Sequence, residues 1–141
     1  EMMSPNGMAI SPDGRSLIVA ESSAAALTVF DIAADGTLSG RRGFAKLSGG
    51  ATIDGMCLDA EGCVWAASPP TCEFLRVREG GEIVDRVSLG ERRAIACVLG
   101  GRERRTLFCI TNAHMSIADA SKERSGRVEM VAVEVAGAGT P

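Results

Sequence analysis

The strongest constraint on the fold is that the chain repeats itself. Asn6-Gly7-Met8-Ala9-Ile10 lies over Asp54-Gly55-Met56-Cys57-Leu58, 48 residues further on (Asn6 against Asp54), and the superposition carries "SPDGRSLIVAES" onto "DAEGCVWAAS". A weaker third copy follows, with "IACVLGG" (95–101) in the first position and "RTLFCITNA" (105–113) in the second. Repeats of about 40 to 50 residues with several short strands per unit are the signature of propeller blades.

Within each copy, runs of about five residues alternate with turn chemistry. The first copy offers "GMAIS", "SLIVAE", "LTVFDI" and "GRRGFAKL", joined through Pro12-Asp13-Gly14 and Asp35-Gly36. The second offers "GMCLD", "VWAAS", "EFLRVR" and "EIVDRVSL", with turns at Glu61-Gly62 and Gly80-Gly81. Glycine supplies the positive φ that tight hairpins need. Consecutive apolar residues at 17–20 and 64–67 indicate strands covered on both faces, which stacked blades provide. The third copy ends on "GRVEMVAVE" (126–134) and has no fourth strand.

The expected fold is therefore all-β: about three β-propeller blades of four antiparallel strands (residues 4–50, 51–91 and 92–136), half of a six-bladed propeller. The domain, 1–141, reads as its C-terminal half. Three blades do not close a ring that needs four to eight. A free half ring leaves apolar faces at both ends in water, so the expectation is a missing N-terminal half, or self-association through the exposed blade faces. The start at Glu1 reads as a cut end and the small, flexible "AGAGTP" as a natural one.

Composition narrows the partners. A 45% apolar content fills one core, and 15 basic against 18 acidic residues give a net charge of −3 without a basic stripe. Nucleic acid is excluded as a partner on that ground. No apolar run approaches the roughly 20 residues that span a bilayer, so no membrane partner is expected. Five cysteines, Cys57, Cys63, Cys72, Cys97 and Cys109, form no C-x-x-C pair and sit mostly in apolar runs. They read as free, buried thiols of a cytoplasmic protein.

At "SPNGMAISPDGRSLIVAES", "DGTLSGRRGFAKL", "IDGMCLDAEGCVWAAS" and "CVLGGRERRTLFCITNA" the chain resembles the C-terminal half of the family of senescence marker protein, gluconolactonase and luciferin-regenerating enzyme. The resemblance implies a six-bladed propeller of about twice this length, hydrolysing lactones or related esters with one divalent metal in the central channel. It places a metal ligand on Asn6, from the "PNG" motif, and a ligand that is also the general base on Asp54. The family's third ligand, a glutamate near its N-terminus, has no counterpart here. The family also has proline before the aspartate where this chain has Ile53, which is expected to loosen the loop that aims Asp54.

The residues agree with that reading. Asn6 and Asp54 hold the same position in consecutive copies, at the entry to the innermost strand. An amide and a carboxylate oxygen suit Ca²⁺, Mg²⁺ or Mn²⁺ and accept Zn²⁺. Glu21, at the end of the second strand, is a candidate acid behind the ligands, set against a solvated strand end. His114 reads as a surface loop residue without an acidic partner. Arg92, Arg93, Arg102, Arg104 and Arg105 read as solvated turn residues or partners of Glu91 and Glu103. No G-x-S-x-G nucleophile motif occurs. Two functions follow: a metal-dependent hydrolase of lactones or sugar-acid esters, with a small-molecule lactone or ester substrate, or a non-catalytic propeller that binds a small ligand or a protein partner.

Overall fold

The computed structural model describes residues 1–139; the last two residues of the expected domain lie outside them. Among the described residues there are eleven strands in three antiparallel sheets. The first sheet runs β1 (Pro5–Ile10), β2 (Ser16–Glu21), β3 (Ala26–Ile32), β4 (Leu38–Lys46). The second runs β5 (Met56–Leu58), β6 (Val64–Ser68), β7 (Glu73–Val77), β8 (Ile83–Ser88). The third is β9 (Arg93–Gly100), β10 (Thr106–Asn112) and β11 (Arg127–Ala132), with β10 in the middle. A single helical turn, α1 (Ile117–Ala120), lies in the β10–β11 connection.

The first two sheets are meanders with short turns between neighbouring strands, whereas residues 113–126 join β10 to β11 in the third. Gly14 and Gly62 occupy the same turn in successive copies, with φ of 70° and 77°, a region that costs glycine little. Two cores separate the three sheets. Ile18, Leu27, Val29 and Phe44 of the first pack against Met56, Val64, Leu75 and Val77 of the second. Trp65 and Phe74 of the second pack against Leu99, Leu107 and Cys109 of the third. β6 is buried at every position, since Val64 and Ala66 face one core while Trp65 and Ala67 face the other. That is why this strand reads as an unbroken apolar run.

The end of the stack is not covered. Ile110 pairs with Val128, and Phe108 pairs with both Met130 and Val98. These residues share the face of the third sheet that points away from the second, where Val128 and Met130 are 75% and 74% exposed.

The "AGAGTP" segment is not a loose tail over its described part. Ala60 N–H donates to Ala136 O at 2.8 Å, Ala138 N–H to Leu58 O at 3.1 Å, and Gly137 N–H to Arg104 O at 2.9 Å. The chain end thus docks on the strand end of β5. Small residues are needed there, because a Cβ on Gly137 would lie 2.9 Å from Leu99 Cβ.

Candidate functional site

The inner strands β1, β5 and β9 approach one another edge-on, and hydrogen bonds repeat from sheet to sheet. Gly7 N–H donates to Asp54 O at 3.2 Å, and Gly55 N–H donates to Ile95 O at 2.9 Å. Asn6, Asp54 and Ile95 are therefore equivalent positions in three consecutive repeats. Two are polar and the third is apolar.

The glycines that follow serve this close approach. Neither Gly7 nor Gly55 has a positive φ, so the Asn6-Gly7 pair is not a hairpin turn. It lies inside β1, where the register with β2 shifts between Pro5 and Met8. A Cβ on Gly7 would stand 2.6 Å from Asp54 O, and one on Gly55 would stand 2.5 Å from Ala96 Cβ. Only glycine leaves room for the neighbouring backbone.

Asp54 is partly buried and Asn6 is exposed. Burial raises the pKa of the Asp54 carboxyl above its ordinary value, and the neighbouring Asn6 side chain opposes that rise. The bond from Gly7 N–H to Asp54 O brings the two residues singled out from the repeat next to one another. A partly dry carboxylate beside an amide is a pair of oxygen donors for a hard cation. Among the described residues no cluster of three or more His, Cys, Asp or Glu stands ready to hold a metal ion.

The loop ahead of Asp54 is fixed rather than loosened by Ile53. The Ile53 side chain is fully buried, and Ser22 Oγ donates to its carbonyl. Thr52 N–H donates to Ser68 Oγ at 3.3 Å, and Asp54 N–H donates to Ala67 O at 2.9 Å. Hydrogen bonds and burial supply here the rigidity that a proline would supply through its ring.

Other residues fall differently from expectation. Glu21 is not a solvated strand end, being 5% exposed. Its carboxylate accepts from Met3 N–H at 2.7 Å, from Thr28 Oγ1 and from Arg41 at 3.1 Å. It is thereby engaged within the first sheet and its edge, and these bonds do not reach Asn6 or Asp54. His114 does have an acidic partner, Glu123, at 3.1 Å, nine residues away across the helical turn. Arg92 bonds Thr111 and Ser125 O rather than Glu91, and Arg93 reaches the Cys72 sulfur at 3.1 Å. All five cysteines are free and four are buried.

Further along the inner strands lies a groove of about 660 Å³, walled by Met8, Ile10, Met56, Cys57, Val98 and Leu99 among others. Neither Asn6 nor Asp54 lines it. Its wall takes consecutive residues from each inner strand, 8–11, 56–58 and 97–99, so it follows the strand edges and no periodicity in the sequence marks it. No helix of the described residues is long and apolar enough to cross a membrane.

Residues 1–114 match the family described as the SMP-30/Gluconolactonase/LRE-like region. Over the whole chain the sequence is 30% identical to the 6-deoxy-6-sulfogluconolactonase of Pseudomonas putida, and the match covers 50% of that protein. Among solved structures, a luciferin-regenerating enzyme superposes with a TM-score of 0.76 at 21% identity, over 95% of this chain and 48% of that one. The calcium-binding protein regucalcin of Agrobacterium tumefaciens also gives 0.76 at 21% identity, over 94% and 47%. The chain spans about half the length of these relatives.

Proposed function

From the premise that the chain belongs to the SMP-30/Gluconolactonase/LRE-like family, we propose that it contributes half of the site of a lactone hydrolase. In this reading Asn6 and Asp54 are two ligands of one divalent cation, and Asp54 is also the general base. The observation that carries it is the main-chain bond from Gly7 N–H to Asp54 O, which sets Asn6 and Asp54, equivalent positions of consecutive repeats, side by side, at a carboxyl whose pKa burial has raised. The remaining ligand and substrate wall come from blades outside these 141 residues, and a six-bladed ring is the closed form. Five free thiols support a reducing, cytoplasmic setting.

When bound, the cation supplies Lewis-acid stabilisation of the charge that develops on the lactone carbonyl oxygen. Oxygen donors favour calcium, with magnesium, manganese and zinc as alternatives. Asp54 accepts a proton from the water that adds to the carbonyl carbon. The ring C–O bond then breaks, the ring oxygen takes up a proton, and a hydroxy acid leaves. The Gly7 N–H bond to Asp54 O and the Ser22 bond to Ile53 O hold the backbone that carries Asp54, with Asn6 beside it. A sugar-derived lactone is the substrate class, supported by the likeness to a sulfogluconolactonase.

Asp54→Asn in the full-length protein tests this. Removing a general base costs about 10²- to 10⁴-fold, so kcat/KM for sugar lactones is expected to fall by at least that much. Stability is expected to hold or rise without divalent metal. The sign follows from the raised pKa: a carboxyl that binds its proton more tightly when folded opposes folding as pH rises above 3.8. Retained turnover in the folded variant overturns the assignment.

A further inference from the structure

The groove wall carries a pair of thiols that the proposed hydrolysis does not use. Cys57 Sγ of β5 and Cys97 Sγ of β9 stand 3.9 Å apart, on different sheets and 40 residues apart in sequence. Both line the groove. Cys57 is the one cysteine that is not buried. Their strands cannot drift apart, because Gly55 N–H bonds Ile95 O two residues before each sulfur-bearing position, and Trp65 O accepts from Cys97 Sγ at 3.4 Å.

We propose that Cys57 and Cys97 are a reversible thiol–disulfide site, oxidised by hydroperoxides that enter the groove, which straps the second sheet to the third. The sulfurs already face one another at 3.9 Å, and closing that gap to bond length is the movement that a disulfide requires. Access assigns the order of events. Cys57 sulfur attacks a peroxide oxygen, the O–O bond breaks, and Cys57 becomes a sulfenic acid as water, or an alcohol from an organic peroxide, leaves. Cys97 sulfur then attacks Cys57 sulfur, the S–O bond breaks, and water leaves as the disulfide forms. Two thiols lose two electrons to one peroxide. Contact with Cys57 and burial both hold the proton on Cys97, so the more accessible Cys57 is the thiol that meets the peroxide first. A dithiol reductant reverses the bond.

Of the other cysteines, Cys109 is the one that competes. It faces Cys97 in register across β9 and β10, but its sulfur is buried and bonds Leu107 O at 3.7 Å. The strap lies three residues beyond Asp54 on the same strand path, so it holds the segment that follows the base without touching it.

The test is to treat the folded full-length protein with hydrogen peroxide, block remaining thiols under denaturing conditions, and map non-reduced peptides by mass spectrometry. A peptide joining Cys57 to Cys97, lost on reduction, is expected, and with it a higher Tm than that of the reduced protein. Cys57→Ser and Cys97→Ser should each abolish both the link and the Tm shift. Cys57 ending as a sulfinic acid, a Cys97–Cys109 link, a link only between molecules, or a link only after unfolding overturns the proposal. The peptide map of the wild-type protein decides the question even where a serine variant folds poorly.

Discussion

Glu21 shows how one side chain can be misjudged by its neighbourhood in sequence. At the end of an apolar strand, an acid is ordinarily solvated. Here Thr28 from β3, Met3 N–H from the chain start and Arg41 from β4 converge on it, and these hydrogen bonds hold its pKa below 4.5 despite burial. A lowered folded pKa means that Glu21 stabilises the protein above 4.5 and loses that contribution as pH falls through its folded value. Glu21→Gln should therefore lower the urea midpoint at neutral pH and flatten its decline on the acid side. A pH titration of the midpoint that runs parallel to wild type would contradict this. The acidic residue was visible in the sequence, but its three partners come from three separate segments.

At the level of strands and turns, the second sheet carries a buried ion pair that repeat matching did not single out. Asp59 follows β5 and is fully buried. Its carboxylate accepts from Glu61 N–H at 2.9 Å, from Cys63 N–H at 3.0 Å and from Arg76 Nε of β7 at 2.6 Å. Burial works against the Arg76 charge, yet the bonds to Asp59 and Glu61 raise its pKa above the ordinary value. Asp59 thus closes the β5–β6 turn and ties it to β7 at once. The equivalent residue in the first repeat is Ser11, whose hydroxyl accepts from Ser16 N–H at 2.9 Å. Removing Asp59 leaves Arg76 with only the exposed Glu61 as partner and the Glu61 and Cys63 N–H groups without their acceptor; breaking a buried pair costs about 3–5 kcal/mol. Asp59→Ala should lower stability by that amount in urea unfolding, and a change under about 1 kcal/mol would be that of a surface pair instead. The strand boundaries were legible because hairpin glycines and apolar runs are local signals. Asp59 in "GMCLDAEG" looked like an ordinary turn acid, and its pairing with Arg76 required β5, β6 and β7 to be side by side.

The whole molecule is a stack of three sheets with an uncovered end. Val98, Ile110, Val128 and Met130 are exposed across that face, and contiguous exposed apolar side chains mark a surface that associates. Residues 1–141 expressed alone are expected to sediment above the mass of one chain. Val128→Lys with Met130→Glu should return the species to monomer, and a compact wild-type monomer would rule this association out. The order of amino acids alone determined the all-β class, the repeat, the strand and turn positions, and the equivalence of Asn6 with Asp54. Each of these is written in periodicity and turn residues within a few positions of one another. Only the tertiary structure decided that Gly7 bonds the Asp54 carbonyl and so sets Asn6 beside Asp54, that Cys57 meets Cys97, and that residues 136–138 dock on β5. Those contacts join residues dozens of positions apart, and they depend on how whole sheets stack, a relation that no local pattern carries.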